Sequence, residues 1–107
     1  VQSMARRINW LNQALRELFH HCHRLEKTSP ERSIRLEQEA FQSVEILKEF
    51  PLLGRAVPEV VPEHRALLIF SQSYWIIYRV RTKMIVIAAV VSTLQDFTKA
   101  WESRKRT

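Results

Sequence analysis

The sequence predicts an α+β domain in which an N-terminal helical hairpin packs on a small, twisted antiparallel β-sheet, with the element order β-α-α-β-β-β-α. Two observations predict this class. Between residues 11 and 50 the apolar residues recur every three or four positions, which is the period of amphipathic helices. Between residues 65 and 91, three short runs rich in isoleucine, valine, leucine and aromatic residues replace that pattern, and such runs are typical of strands.

The first strand and helix are expected close to the N-terminus. Residues 5–10 predict a short strand with Ile8 and Trp10 on one face, and Asn9 or Asn12 is expected to cap the helix that follows. The apolar stripe of this helix consists of Leu11, Ala14, Leu15, Leu18, Cys22 and Leu25.

A second helix is predicted directly after a break at residues 28–31. Ser29 is a suitable N-cap, Pro30 fits the first helical turn, and Glu31 lies near the positive end of the helix dipole. The helix is expected to end at Pro51, and Gly54 follows in a turn. Its apolar positions are Ile34, Leu36, Ala40, Phe41, Val44, Leu47 and Phe50. We expect these side chains in the core, together with Trp10 from the first strand.

Three strands and a last helix complete the predicted domain. The strands are expected at residues 65–70, 74–80 and 84–91, and the three-residue links between them suit antiparallel hairpins. Because strand side chains alternate, Tyr74, Ile76, Tyr78 and Val80 should face one way, and Trp75, Ile77 and Arg79 the other. The third strand is apolar on both faces, so either the C-terminal helix or a partner should cover the second face. That helix is predicted over residues 93–105, with Leu94, Phe97 and Trp101 on one side.

Length and composition narrow the possible functions. We expect one domain over residues 4–107, with residues 1–3 as an expression remnant ahead of Met4. The 17 Lys and Arg against 11 Asp and Glu give a net charge of +6, which favours an anionic or acidic partner. The single cysteine, Cys22, excludes an internal disulfide and fits a reducing, cytoplasmic setting. The longest apolar run, Met84 to Val91, is too short to cross a membrane.

Motifs for cofactors and metals are weak in this sequence. One glycine cannot build a phosphate-cradling loop, so no cofactor is expected, and no nucleophile elbow or carboxylate pair suggests a small-molecule enzyme. The first helix carries the cluster His20-His21-Cys22-His23, in which His20 and His23, three residues apart, could face one ion. No second ligand pair accompanies them and Cys22 belongs to the apolar stripe, so we predict a solvated histidine face and no metal site.

Three segments of the C-terminal half resemble a known family. They are Pro51-Leu52-Leu53-Gly54-Arg55, His64-Arg65-Ala66-Leu67 and Tyr74-Trp75-Ile76-Ile77-Tyr78-Arg79. Their order behind a two-helix hairpin is similar to that of the RelE/ParE toxins of bacterial type II toxin–antitoxin systems. The resemblance implies a RelE/ParE-like fold and a cytoplasmic toxin that inhibits bacterial growth. It also implies a cognate antitoxin that neutralises the toxin in a toxin–antitoxin oligomer.

The resemblance leaves two activities open. RelE-like members are ribosome-dependent endoribonucleases that cleave mRNA, whereas ParE-like members inhibit DNA gyrase and are not nucleases. Arg65 and Arg79 match arginines common to both branches. The stretch Val91 to Leu94 contains no histidine, tyrosine or arginine where the ribonucleases usually place a catalytic group, and Trp75 stands where the family often has arginine. We therefore favour gyrase inhibition, with the ribosome and mRNA as alternative targets and a non-toxic antitoxin-binding member as a further alternative.

The chemistry of RNA cleavage also guides the choice of site residues. Cleavage needs a proton acceptor, and arginine is a poor one because its pKa exceeds about 12. If the chain is a ribonuclease, His64 could be the proton acceptor and act together with Arg65 and Arg79. Adjacent strand residues face opposite ways, so the strand would have to bend, for example at Pro62, to bring His64 and Arg65 together. For a target-binding toxin the expected contacts are Arg65, Arg79, Arg81, Trp75 and Tyr78. The alternative is that these arginines are only surface charges. Arg65 and Arg79 would then pair with Glu59 or Glu63, and Arg81 would be solvated in the turn after its strand.

Overall fold

The computed structural model describes residues 6–57, 62–95 and 97–105. Its elements, in chain order, are β1 (Arg7–Trp10), α1 (Asn12–Glu26), α2 (Pro30–Ile46), β2 (Arg55–Ala56), β3 (His64–Ile69), β4 (Tyr74–Val80), β5 (Met84–Ser92) and α3 (Phe97–Lys105). The α+β class and the predicted helical hairpin and C-terminal meander are confirmed.

The sheet has five strands in the order β1-β5-β4-β3-β2. The neighbours from β2 to β5 are antiparallel, as expected, but β1 pairs in parallel with β5, so the prediction of a purely antiparallel sheet is wrong at this edge. Strand β2 was not predicted because two residues are too few to show an alternating pattern. Both additions lie at the edges of the meander that the sequence predicted.

The helical hairpin is held by one predicted cap and one buried hydrogen bond. The Ser29 hydroxyl accepts a hydrogen bond from the Arg32 backbone N–H, and Pro30 begins α2, both as expected. The Ser33 hydroxyl donates to the Cys22 carbonyl at 2.8 Å and so joins the two helices. The predicted asparagine cap of α1 is wrong, because Leu11 occupies the N-cap position and makes no side-chain hydrogen bond.

The main core lies between the hairpin and one face of the sheet. Leu18, Leu36 and Val44 from the helices pack there with strand residues such as Ile76 and Ile87. The side chains of Ile8 and Trp10 contact this core, and the Trp10 and Phe41 ring centroids lie 5.1 Å apart, which confirms their predicted positions.

Two apolar residues expected in this core are exposed. Phe50 is 59% exposed because α2 ends at Ile46, so the helical period does not extend to it. Ile34 is 58% exposed because the buried stripe of α2 passes through Ser33 and Leu36.

The second face of the sheet, which points away from the hairpin, is partly covered by α3. Ala66, Ile77, Ala89 and Val91 from the strands pack there with Val57, Trp75, Ala100 and Trp101. Of the two covers predicted for this face, the C-terminal helix or a partner, the structure shows the C-terminal helix, which covers it in part. The helix begins later than expected, leaving Leu94 outside it and 96% exposed, and the Phe97 side chain lies outside the described part of the protein.

Helix α1 completes the edge of β5 beyond the end of β1. Strand β1 pairs with β5 only as far as Ile87. Farther along, the Glu17 carboxylate accepts a hydrogen bond from the Val90 N–H at 2.9 Å, and His21 Nε2 donates to the Val90 carbonyl at 3.0 Å. Two side chains thus take the hydrogen bonds that another strand would have provided.

Candidate functional site

Arg65 and Tyr78 are direct neighbours in the register of β3 and β4. Both lie on the sheet face that contacts the hairpin, and the Tyr78 side chain is fully buried. The Tyr78 hydroxyl donates to the Pro51 carbonyl and accepts from the Gly54 N–H, both at 2.8 Å. Arg65 Nε donates to the Gly54 carbonyl at 2.7 Å, and its Nη2 donates to the Leu52 carbonyl at 3.4 Å. We call these two side chains the loop clamp, because together they hold residues 51–54.

The glycine in this loop is required by a close approach. A Cβ atom at Gly54 would lie 2.8 Å from the Tyr78 ring and hydroxyl, and 2.9 Å from the Ala66 carbonyl oxygen. These distances are well inside van der Waals contact, so any side chain at position 54 would separate the loop from the sheet. Position 54 is therefore restricted by Tyr78 itself.

The electrostatics of the loop clamp suit a structural role. Burial raises the pKa of Tyr78, and the hydrogen bond from Gly54 and the nearby Arg65 guanidinium only partly oppose this effect. The hydroxyl therefore stays protonated at neutral pH and can make both of its hydrogen bonds. The prediction that Tyr78 offers an aromatic contact surface conflicts with its complete burial.

Arg79 lies on the opposite face of the sheet from Arg65. Its register partners are His64 on β3 and Val86 on β5, so it shares the second face with Ile77 and Trp75. Its Nε atom is buried without a hydrogen-bond partner in the described part of the chain. This buried atom cannot reach another molecule. The residue as a whole is half-buried, however, and no hydrogen bond from its guanidinium to a described residue is found, so its outer nitrogens can still donate to a partner.

Trp75 and Arg55 add an aromatic and a second cation to this face. Arg55 from the edge strand β2 is exposed, and its Cζ atom lies 5.2 Å from the centroid of the Trp75 ring. This distance is typical of a cation–π contact. Arg55 was missed as a site residue in the sequence because the strand that places it beside Trp75 was not predicted.

His64 begins β3 on the same face as Arg79. Its Nδ1 lies 2.8 Å from the Pro62 carbonyl, and its ring centroid is 5.4 Å from that of Trp101 on α3. No bend brings His64 onto the face of Arg65, so the predicted group of His64, Arg65 and Arg79 is divided between two faces of the sheet. His64 and Arg79 are the pair that the structure does bring together.

Arg81 is separate from both sets. It follows β4 in an exposed turn, where its backbone carbonyl accepts a hydrogen bond from Arg6 Nε at 2.9 Å. The predicted pairing of arginines with Glu59 lies outside the described residues. In the described part of the protein no ion pair between an arginine and Glu63 is found, whereas Lys48 does pair with Glu45.

The histidine-rich stretch of α1 agrees with the predicted solvated face at His20 and His23, which are exposed, but not at His21. His21 was expected on a solvated face but is only 8% exposed, because its ring packs against Tyr74 and its Nε2 is bonded to Val90. Cys22 is buried in the main core, as predicted. Among the described residues, no three His, Cys, Asp or Glu side chains are grouped to hold a metal ion.

We define the Arg79 surface as the exposed or half-buried residues Arg55, His64, Trp75 and Arg79 on the second face of the sheet. It combines cations and an aromatic ring, and α3 lies beside it through Trp101. Such a surface can bind an acidic or anionic macromolecule through charge-assisted hydrogen bonds and stacking. Of the three residues that the sequence proposed for RNA cleavage it contains His64 and Arg79, while Arg65 is bonded to the loop on the other face.

Similarity to known proteins now identifies the class. Residues 8–97 match the family model described as the ParE toxin of type II toxin–antitoxin system, parDE. A chain of the solved structure titled "Chromosomal ParDE TA system from P. aeruginosa" superposes with a TM-score of 0.71, at 21% identity, over 83% of this chain and 97% of that one. Among curated proteins, none matches the chain.

The fold and the family match thus define a toxin component of a type II toxin–antitoxin system. Within that class, the chain belongs to the ParE toxin family. The resemblance to RelE/ParE toxins is therefore confirmed. No helix in the described part of the protein is long and apolar enough to cross a membrane.

Proposed function

We propose that the protein inhibits bacterial growth by binding DNA gyrase in the cytoplasm, and that a cognate antitoxin neutralises it. The observation that carries this proposal is the division of the candidate residues between two faces of the sheet. Arg65 and Tyr78 hold the loop at residues 51–54, while Arg79 and Trp75 remain on the Arg79 surface. This arrangement supports binding better than catalysis.

The net charge of +6 supports an acidic partner. The family is defined by toxin–antitoxin pairs, so the cognate antitoxin is the first partner that we assign. Acidic antitoxin side chains would pair with the excess positive charge in a toxin–antitoxin oligomer. We assign the contact with gyrase to Arg79, with Trp75 and Arg55 beside it.

The test measures growth, gyrase supercoiling and stability on the same variants. Expression of the wild-type chain alone should stop growth, and the purified protein should inhibit supercoiling. Arg79→Ala should relieve both effects by about tenfold or more, as for loss of a charge-assisted contact at an interface. Its urea midpoint should stay near that of the wild type. Arg81→Ala is the matched control, because it removes the same charge two residues away in an exposed turn.

Arg65→Ala separates contact from structure. It removes both hydrogen bonds from the guanidinium to the loop, so it should lower stability by about 1–3 kcal/mol. Any loss of toxicity should follow the folded fraction. A stable Arg65→Ala protein that no longer inhibits gyrase would return Arg65 to the contact surface and contradict this division of roles.

One observation favours a second activity. His64 and Arg79 are register partners on one face, which would place a proton carrier beside a cation for RNA cleavage on the ribosome. Messenger cleavage in a translation reaction that is lost in His64→Ala would establish this activity in place of gyrase inhibition. Tight antitoxin binding, with neither gyrase nor translation affected at verified expression, would identify a non-toxic family member.

A further inference from the structure

A cavity of about 300 Å³ lies on the hairpin side of the sheet, on the opposite face from the Arg79 surface. It is formed where the last turn of α1 meets the beginning of β4 and the end of β5. The residues lining it, among those described, include Arg24, Thr28, Tyr74, Ser92, Leu25 and Leu94. Its volume is at the lower end of the range for small-molecule sites.

The cavity offers a cation that is not neutralised locally. Arg24 lies in the last turn of α1, is exposed, and forms no ion pair with a described residue. The lining residues that the structure describes include no carboxylate. A second cation, Arg32, is close enough to Tyr74 to act on it electrostatically, and its Cζ atom lies 5.4 Å from the Phe70 ring centroid. The local charge therefore favours an anion.

Hydroxyl donors reach the cavity from two further elements. The Tyr74 hydroxyl makes no hydrogen bond within the described part of the chain. Burial is the largest influence on the pKa of this phenol and raises it, so the hydroxyl is protonated at neutral pH. The Ser92 oxygen accepts from the Leu94 N–H at 3.1 Å, which leaves its own proton for a ligand.

The floor of the cavity is fixed. His21 lines it with a buried ring whose Nε2 donates to the Val90 carbonyl, and this ring packs against Tyr74 with centroids 4.8 Å apart. The tyrosine is therefore held in place before any ligand arrives. Such preorganisation lowers the entropic cost of binding.

We propose that this cavity binds a small phosphate monoester, with Arg24 as the cation and the Tyr74 and Ser92 hydroxyls as donors. A tetrahedral phosphate accepts hydrogen bonds from several directions, which suits donors on α1, β4 and β5 better than a planar carboxylate does. Leu25 and Leu94 at the sides provide apolar contact for the organic part of the ester. The proposal is independent of the gyrase contact, because it uses none of the residues of the Arg79 surface.

Calorimetric titration of the full chain with AMP, in phosphate-free buffer at fixed ionic strength, tests the proposal. Saturable binding at about 1 mM or tighter is expected, and adenosine should not bind. Arg24→Gln should weaken AMP binding about tenfold or more, and Tyr74→Phe several-fold, as for the loss of charge-assisted and neutral hydrogen bonds. Arg16→Gln is the matched control, since it removes the same charge from an exposed position on α1 that does not line the cavity. It should change the affinity less than twofold.

A nucleic-acid end is the other source of a phosphate monoester. A DNA tetranucleotide with a 5′-phosphate should compete with AMP, and the same oligonucleotide with a 5′-hydroxyl should not. The proposal is overturned if AMP binding does not saturate, if Arg16→Gln weakens it as much as Arg24→Gln, or if both oligonucleotides compete equally. The last two outcomes would show general attraction between a basic protein and a polyanion.

Discussion

Replacing Tyr78 by phenylalanine tests the loop clamp most directly, because it deletes one oxygen atom and leaves the ring. That oxygen makes two hydrogen bonds of 2.8 Å, to Gly54 and to Pro51. The Gly54 N–H is buried, so leaving it unsatisfied should cost about 1–3 kcal/mol. The Pro51 carbonyl is only partly buried and can recover a water, so its loss should add about 1 kcal/mol. Together the change should lower the free energy of unfolding by about 2–4 kcal/mol.

Urea unfolding, followed by tryptophan fluorescence in phosphate-free buffer, measures this change. With a slope of about 1.5 kcal/mol per molar urea for a domain of this size, the midpoint should fall by about 1–3 M. Tyr74→Phe is the matched control, because the Tyr74 hydroxyl bonds to no residue in the described part of the protein. It should change stability by less than about 0.5 kcal/mol. Equal midpoints for the two variants would refute the structural role of the Tyr78 hydroxyl.

The same loop and the buried histidine give the remaining predictions. Gly54→Ala should destabilise the fold by about 1–3 kcal/mol, because the new methyl group meets the Tyr78 ring and the Ala66 carbonyl. Adding Tyr78→Phe should not restore the lost stability, since the ring and the carbonyl remain. Restored stability in the double variant would show that the methyl group clashes with the hydroxyl alone. Burial lowers the pKa of His21 below its ordinary value of 6.5, outweighing the hydrogen bond to Val90, so the unfolded chain binds a proton more readily than the folded one. The free energy of unfolding should therefore decrease as pH falls through 6.5 towards the folded-state pKa. The test compares urea midpoints at pH 7.5 and pH 5.5. The midpoint should decrease less between these two pH values in His21→Gln than in His23→Gln, the exposed control. An equal decrease in both variants would assign the pH dependence to other groups.

Much of the fold could be predicted because its signals are local. Strand β4 has the predicted bounds, since alternation and the two hairpin links define it on both sides. The start of α2 was equally clear from Ser29 and Pro30. Strand β1 carries no local signal of its parallel pairing with β5, because that pairing depends on residues more than seventy positions away. Strand β2 likewise exists only because β3 offers a partner.

The candidate site could be predicted only in part, for a related reason. Alternation placed Arg79 and Trp75 on one face and Tyr78 on the other, and the structure confirms this. It does not show what each face contacts. Arg65 was predicted as a binding residue because it matches an arginine common to the family, and Tyr78 as an aromatic contact beside the arginines. Both side chains instead bond to backbone groups of a loop, and the sequence does not reveal such contacts. His21 was misjudged in the same way, since the Val90 backbone that buries and binds it comes from β5.

The adjacent pair Tyr78 and Arg79 therefore combines two different roles in two consecutive residues. Because a strand turns successive side chains to opposite faces, the tyrosine supports the loop from the core while the arginine remains available on the Arg79 surface. A change at residue 78 should alter the free energy of unfolding and leave the inhibition produced by each folded molecule unchanged. A change at residue 79 should do the reverse. If a register slip of one residue moved β4 against its neighbours, Tyr78 and Arg79 would exchange faces and both roles would fail at once.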